Sequence, residues 1–557
     1  MSENLGYLSG RKGKGLDYNL FEELVKAAKD EGSPDKKRLE ELSDEFLIGD
    51  ANTFGATSFY DFLKEENKGK KAYVCNGSAC LCAGTQDAVK EKLLTEYKEE
   101  EIGHMCCLGR CHENAAFNVE GVNYSGDAIN RIKEIKASKP EGKEDYAVYS
   151  NMEQPILTAE MPSLGDFYSL WETSLKRDSK EVLEEIKESG LRGRGGAGFP
   201  MGFKLESCRN TESDQKFIVC NADEGDPGAY SDRYLLEERP HFVLFGMMIA
   251  GYVTGATKGV IYIRAEYPES VSAAELAVED LKKEGWIGEN IKGSGFDFNF
   301  KIVKAAGAYI CGEETALLSS LEGQRPEVRV RPPYPTQEGL FNKPTVVNNV
   351  ETLACLHFIL QHGGEVYKKI GRGRSTGSKL VSLDSFFNKP GMYEIEMGTP
   401  MDKVVQEMAG GFKDDVKAIH VGGPLGGIVP VHKIADLSLD FESFSENGFL
   451  LGHAGVVSIP KGFPMVKYLS HLFEFTSVES CGKCFPCRLG SRRGWEMLEK
   501  AQSEDYKIDR QLMDDLLETL EDGSLCALGG GLPLGIRNAL QYFDEELQTY
   551  FTEKQAV

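Results

Sequence analysis

The stretch ESCGKCFPCRLGSRRG sets Cys481, Cys484 and Cys487 three residues apart, and it constrains the fold more than any other segment. Thiolates at C-x2-C-x2-C spacing point inward from one tight loop onto a single centre and need one remote partner. Cys526, further on in GSLCALGGG, supplies it. Structural zinc usually takes two separated C-x2-C-like pairs, so the three-plus-one pattern fits a [4Fe–4S] cluster better than zinc. Whatever the fold, it must bring residue 526 back to the 481–487 loop.

The chain holds 14 cysteines in 557 residues. Its start, MSENLGYLSGRKGKGLDYN, has no apolar signal core, which predicts a cytoplasmic protein and argues against a disulfide framework. A second set lies in AYVCNGSACLCAG and HMCCLGRCHENAAF. There Cys75 and Cys80 form C-x4-C, and Cys107 and Cys111 form C-x3-C, two loops that could each grip one iron of a [2Fe–2S] rhomb. The spacing is not plant-type, and zinc stays open on spacing alone. Cys82 and Cys106 are assigned as bystanders. Cys208, Cys220, Cys311 and Cys355 are isolated and read as small buried hydrophobes.

Length predicts three or four domains, and 41% apolar residues can build real cores. A net charge of −24 argues against nucleic-acid binding, which wants a basic stripe. No apolar run is long enough to span a bilayer. The charged segment 131–150 reads as a linker. From about 150 to 375 strands alternate with helices: KFIVC, KGVIYIR, then the amphipathic SVSAAELAVEDLKKEGW, then FNFKIVKA. That alternation predicts a βαβ-rich, largely parallel sheet. Residues 376–435 form a small β-rich module, and the pattern is mostly helical from 440 on.

SGLRGRGGAGFPMGFK contains Gly193-x-Gly195-x-x-Gly198. A dinucleotide fingerprint must follow a strand, whereas this one follows the helix-like SKEVLEEIKES. The loop can still cradle a phosphate with backbone N–H groups, Arg194 and Lys204 adding charge. NADEGDPGAYSD begins where the KFIVC strand ends, the place α/β sheets put ligands, and crowds Asp223, Glu224, Asp226 and Asp232 into one turn. GAYICGEETALLSSLEG repeats the design with Glu313 and Glu314 opening a helix, although acidic residues in a first turn are also good capping. With Asn348 and Asn349 of PTVVNNVETLA, these loops predict one convergent polar pocket.

Together GLRGRGGAGFP, CNADEGDPGAYSDR, AYICGEETALLSSLEGQRP, KPTVVNNVETLA and ESCGKCFPCRLG with Cys526 resemble the NADH-oxidising flavoprotein of complex I and its soluble relatives, the diaphorase subunits of NAD-linked hydrogenases and formate dehydrogenases. TSFYDFL, the C-x4-C pair and CLGRC are similar to the thioredoxin-like [2Fe–2S] subunit of those complexes. The resemblance implies an α/β multidomain chain: a thioredoxin-like ferredoxin domain with helical lead-in over about 1–140, an α/β FMN- and NAD-binding domain over 150–375, a ubiquitin-like β-grasp module over 376–435, and a helical [4Fe–4S] bundle over 440–557. It implies FMN on Gly193, Arg194, Gly195, Lys204, Asn221, Asp223, Glu224, Gly312, Glu313, Asn348 and Asn349. NAD(H) would lie on Phe199, Asp226, Glu314, Arg331 and Tyr334, with Phe199 and Tyr334 sandwiching the adenine and Asp226 repelling the extra phosphate of NADP. It also implies iron–sulfur and catalytic partner subunits in a soluble hydrogenase or formate dehydrogenase-type assembly, with electron bifurcation among the activities it admits. A membrane-attached complex I is the alternative. Two departures stand out. The family's TGLKW after GFP is here Met201-Gly202-Phe203-Lys204-Leu205, and Asp226 stands where complex I subunits more often carry Glu, as in the hydrogenase and formate dehydrogenase branch.

Overall fold

The computed structural model describes residues 15–29, 32–142 and 146–552. At its centre lie four parallel strands in the order Asn299–Lys304, Lys258–Ile263, Phe217–Ala222, Thr345–Asn349. The first strand in the chain therefore has the second on one side and the fourth on the other. The connections diverge from that point, and the crevice between the two carboxyl ends is where such sheets receive ligands.

Apolar residues fill most positions of Phe217–Ala222 and Lys258–Ile263 because both faces are covered, whereas the edge strand Asn299–Lys304 is half polar. On Phe217–Ala222, Phe217 and Val219 face one core while Ile218, Cys220 and Ala222 face the other, the period of two that a pleated strand imposes. The second core is closed by the helix Pro240–Thr254, buried almost throughout. It crosses the Val350–Ala354 helix so closely that a Cβ on Gly246 would lie 2.0 Å from the Leu353 carbonyl oxygen. The first core is closed by the N-terminal helices Leu20–Ala28 and Lys36–Phe46 through Leu20, Phe21, Leu24, Leu42 and Phe46. The lead-in expected with the first iron–sulfur module thus packs on the central sheet. Tyr60 fixes it there, its hydroxyl donating to Ser320 Oγ at 2.7 Å.

A second four-stranded sheet, in the order Ile102–Met105, Ala72–Cys75, Phe117–Val119, Val122–Tyr124, has its first pair parallel and the rest antiparallel. The third large sheet has six strands, ordered Gly427–Pro430, Val416–Val421, Gly455–Pro460, Ser378–Leu383, Gly391–Glu396, Ala147–Ser150. It is larger than the module read at 376–435. Ala147–Ser150, inside the expected linker, pairs in parallel with Gly391–Glu396, and Gly455–Pro460, inside the expected helical region, fills the middle. A charged stretch with one short alternating run reads as linker until its partner strand is known.

The C-terminal part is helical: Met465–Glu479, Ser491–Ser503, Arg510–Gly523 and Ala527–Tyr542. Among the described residues no helix is long and apolar enough to cross a membrane.

Candidate functional site

The loop between Met465–Glu479 and Ser491–Ser503 carries Cys481, Cys484 and Cys487, and Cys526 caps the N-terminus of Ala527–Tyr542. Packing forces the approach. A Cβ on Gly529 would lie 2.7 Å from that of Cys487, and one on Gly523 would lie 2.5 Å from Pro486 Cγ. Burial pushes the Cys487 thiol up to about 11 and the Cys526 thiol up to about 12. Thiols this hard to ionise become thiolates when a metal supplies the compensating charge. The Leu525 N–H donates to Cys484 Sγ at 3.3 Å. Beside the loop opens a cleft of about 490 Å³ lined by Arg325, Ser480, Cys481, Gly482 and Arg488.

The other four thiols also converge. Cys107 and Cys111 are 3.6 Å apart at sulfur. A hydrogen bond from Cys80, helped by backbone N–H groups, brings the Cys75 thiol down to about 7, while its partner Cys80 is raised. Cys111 is raised chiefly by its contact with Cys107, with Cys80 and Cys75 adding to it. Cys82 stands apart, its thiol raised by burial and, next, by Asp384. Cys106 faces a small cavity with Asp223, Arg264, Tyr309 and Glu479.

That second thiol set touches the acidic loop. Gly228, at φ +98°, donates its N–H to Cys111 Sγ at 3.3 Å, in a backbone conformation that glycine adopts without strain. Five residues earlier the same loop begins at the sheet crevice. There Asn221 and Asn349 are paired residues on adjacent strands, Asn221 Nδ2 donates to the Gly312 carbonyl at 2.7 Å, and a Cβ on Gly195 would lie 2.9 Å from Asn349 Cβ. Five expected residues from four separate motifs therefore meet: Gly195, Asn221, Asp223, Gly312 and Asn349.

Two buried polar atoms in this crevice have no protein partner, the Asp223 carboxylate oxygen Oδ2 and the Asn348 amide Nδ2. Burial pushes Asp223 well above the usual carboxylate range. A buried acceptor and a buried donor left open are what a polar ligand would satisfy. A flavin nucleotide, with hydroxyls and a ring edge of both polarities, fits that pair.

The charged rim follows. Lys204 Nζ donates to Glu314 Oε2 at 3.1 Å, and Arg331 reaches Glu314 Oε1 at 2.8 Å and Glu313 Oε1 at 3.3 Å. Glu313 also caps its helix through the N–H groups of Thr315 and Ala316. The Tyr309 hydroxyl donates to Asp226 Oδ1 at 2.6 Å, and burial lifts Asp226 to about 6 against that bond.

Two expected contacts use their side chains elsewhere. Arg194 is fully buried, its guanidinium donating to the carbonyls of Arg192, Ser378 and Thr376 and to the Tyr367 hydroxyl. It holds the glycine loop to the six-stranded sheet, and its backbone N–H donates to Thr352 Oγ1 at 2.8 Å, so neither its guanidinium nor its N–H is open to a phosphate. The Glu224 carboxylate accepts from Ser231 Oγ and from the N–H groups of Asp232 and Arg233 at the start of a helix.

Three exposed aromatic rings stand at the mouth: Phe199 at 45%, Tyr334 at 54% and Phe203 at 61% exposure. Phe203 was missed by sequence reading. Its ring lies 5.6 Å from Phe199 at 73°, on a helix whose opposite face buries Met201, Leu205 and Cys208. Helical spacing alone could have found it, since 203 falls opposite 201, 205 and 208. Tyr309 was missed too, because a tyrosine in an apolar run reads as core.

Residues 186–357 match the family model described as the Nuo51 FMN-binding domain. Residues 467–550 match that of the NADH-ubiquinone oxidoreductase-F iron-sulfur binding region. The NADP-reducing hydrogenase subunit HndC of Solidesulfovibrio fructosivorans is 41% identical over 377 residues, 67% of this chain and 76% of that one. The chain belongs to the complex I flavoprotein family shared with NAD-linked hydrogenases. It is an NADH dehydrogenase-type oxidoreductase subunit with FMN and a [4Fe–4S] cluster. The alpha subunit of the NAD-reducing hydrogenase HoxS of Cupriavidus necator is 34% identical over 528 residues, 88% of this chain and 85% of that one. A protein of the NADH-quinone oxidoreductase of Aquifex aeolicus is 39% identical over 384 residues, 69% of this chain and 89% of that one. A crystal structure of an air-oxidized NAD+-reducing [NiFe]-hydrogenase superposes with a TM-score of 0.84 at 28% identity, over 97% of this chain and 95% of that one.

Proposed function

We propose that this chain is the NADH-handling subunit of a soluble, cytoplasmic hetero-oligomer of hydrogenase or formate dehydrogenase type. The observation that carries this reading is one of extent. The hydrogenase protein of Cupriavidus necator is similar over 88% of the chain, the 72–124 cysteine module included, while the NADH-quinone oxidoreductase protein of Aquifex aeolicus is similar over 69%. In this reading the 72–124 sheet is the thioredoxin-like domain and holds [2Fe–2S] on Cys75, Cys80, Cys107 and Cys111. Cys481, Cys484, Cys487 and Cys526 hold [4Fe–4S], and the six-stranded sheet is the β-grasp module grown by two strands.

Bound FMN supplies the conversion between two-electron hydride chemistry and single-electron transfer. The chain's residues do the positioning. Asn221, Asp223, Gly312, Asn348 and Asn349 receive the flavin at the crevice, with the glycine loop at Gly195 and the charge of Lys204 beside it, while the N–H groups of Gly193 and Arg194 stay bound to the Phe199 carbonyl and Thr352 Oγ1. Glu314 and Arg331 orient the nucleotide, Phe199 and Tyr334 stack on its adenine, and Asp226 disfavours a 2′-phosphate. Electrons leave past the cleft at Cys481, where exposed Val478, Phe485 and Leu489 suit a partner that carries further clusters.

The test is an anaerobic titration of the purified chain with NADH and then NADPH, followed by visible absorbance and electron paramagnetic resonance. Flavin bleaching and a cluster signal with NADH, and neither with NADPH, are expected. A colourless zinc protein, or a spectrum that NADH leaves unchanged, refutes the assignment.

A further inference from the structure

Behind the crevice, two side chains from one loop and helix start meet a third from far along the chain, out of reach of solvent. Glu224 follows the first central strand, Asp232 lies in the first turn of Ser231–Glu238, and His453 precedes the strand Gly455–Pro460. All three are buried, and one ligand atom from each lies within 4.8 Å of the others. His453 Nε2 is 3.5 Å from Glu224 Oε1 and 3.9 Å from Asp232 Oδ2. Its Nδ1 has no partner, and neither has Asp232 Oδ1.

This arrangement suits a metal better than a hydrogen bond. A hydrogen bond would draw the nitrogen to within about 3.2 Å of an oxygen. Two ligands of a tetrahedral zinc, each about 2.0–2.1 Å from the ion, lie about 3.4 Å apart. The pairs here sit at that separation or slightly beyond it. Charge points the same way. Two carboxylates held out of water need compensation; the neighbouring Lys379 is engaged by Glu351, and Arg264, which donates to the Glu224 carbonyl and acts on its carboxylate, is shared with Glu266. Burial also holds the imidazole neutral, the form that ligates.

We propose that Glu224, Asp232 and His453 bind a zinc ion that pins three elements of the fold together. The surrounding donors fit that role, since ligating carboxylates are themselves oriented by hydrogen bonds. Glu224 accepts from Ser231 Oγ, from the N–H groups of Asp232 and Arg233, and from the Tyr267 hydroxyl at 3.3 Å. Asp232 Oδ2 accepts from Asn349 Nδ2 at 2.6 Å. The ion would fix the back of the crevice through Asn349 and steady the loop whose Gly228 N–H meets Cys111. It would be separate from both thiol sets.

The experiment takes the full-length chain purified without chelator, measures zinc and iron by mass spectrometry, and records X-ray absorption at the zinc edge. About one zinc per chain is expected, in a shell of nitrogen and oxygen at about 2.0–2.1 Å. His453→Ala and His453→Gln should each lower zinc roughly tenfold and leave iron unchanged. Absence of zinc from the wild type even after incubation with Zn2+ overturns the proposal, as does zinc retained in both variants. A sulfur shell near about 2.3 Å also overturns it, and places zinc on the cysteines, which counts against the cluster assignment instead. Should the variants not fold, the wild-type absorption shell decides alone.

Discussion

Asp226→Asn removes a negative charge from the nucleotide side of the site and keeps its shape. The hydrogen bond from the Tyr309 hydroxyl, 2.6 Å in the native chain, survives on the amide oxygen, so the loop should hold its position. What changes is the repulsion felt by a 2′-phosphate. Two unit charges at an effective dielectric near 20 repel by about 4 kcal/mol at 4 Å and about 2 kcal/mol at 8 Å. The variant should therefore raise kcat/KM for NADPH relative to NADH by roughly 30- to 1000-fold, with NADH itself changed by less than about threefold. Steady-state oxidation of each nucleotide with an artificial electron acceptor reads this ratio. The carboxyl titrates at about 6, charged above that pH and neutral below it. Wild-type discrimination should accordingly weaken as pH falls from about 7.5 to about 5, the range that brackets this titration, while the variant stays flat. A ratio that moves less than about threefold, or a variant with the pH dependence of the wild type, would refute the placement of Asp226 at the 2′ position. The comparison matters because HndC, 41% identical to this chain, is an NADP-reducing hydrogenase subunit.

Cys526→Ser should abolish the [4Fe–4S] resonance and keep the [2Fe–2S] one, whereas Cys82→Ser and Cys106→Ser should lose neither; loss of the [2Fe–2S] signal in Cys82→Ser would redraw that ligand set. Phe203→Ala should raise KM for NADH by about two- to tenfold with kcat held, as expected for a lost aromatic contact, and leave reduced nicotinamide mononucleotide, which has no adenine, unaffected. Lys379 and Glu351 form an ion pair with both side chains buried, and Glu351 Oε1 also accepts the Leu380 N–H at 3.0 Å. Lys379→Met should cost about 3–5 kcal/mol in denaturant unfolding by stranding the carboxylate, and adding Glu351→Leu should restore most of it.

Local chemistry was legible from the residue order. That Cys481, Cys484, Cys487 and Cys526 should meet was legible because thiolate spacing is itself a geometric statement about one loop and a remote partner. The strands at 217–222 and 258–263 were legible because a buried parallel sheet writes continuous apolar runs, and the half-polar strand at 299–304 because it follows an amphipathic helix in a βαβ order. The helix before the glycine loop, Ser179–Glu188, was legible because its period excludes a strand. The six-stranded sheet was not. Ala147–Ser150 pairs with Gly391–Glu396, and no local pattern encodes a partner so far along the chain.

The sequence by itself determined which motifs this protein carries and, through them, its family and the identity of most residues at the crevice. Tertiary structure alone decided how they are used. Arg194 looked like a phosphate ligand and became a buried clasp, because the carbonyls of Thr376 and Ser378, far along the chain, join that of Arg192 in claiming its guanidinium. Glu224 looked like part of the flavin site and became the cap of a helix, beside a histidine that follows it by most of the remaining chain. Each side chain's role depends on which groups reach it first in three dimensions, and long-range packing settles that competition rather than neighbouring residues.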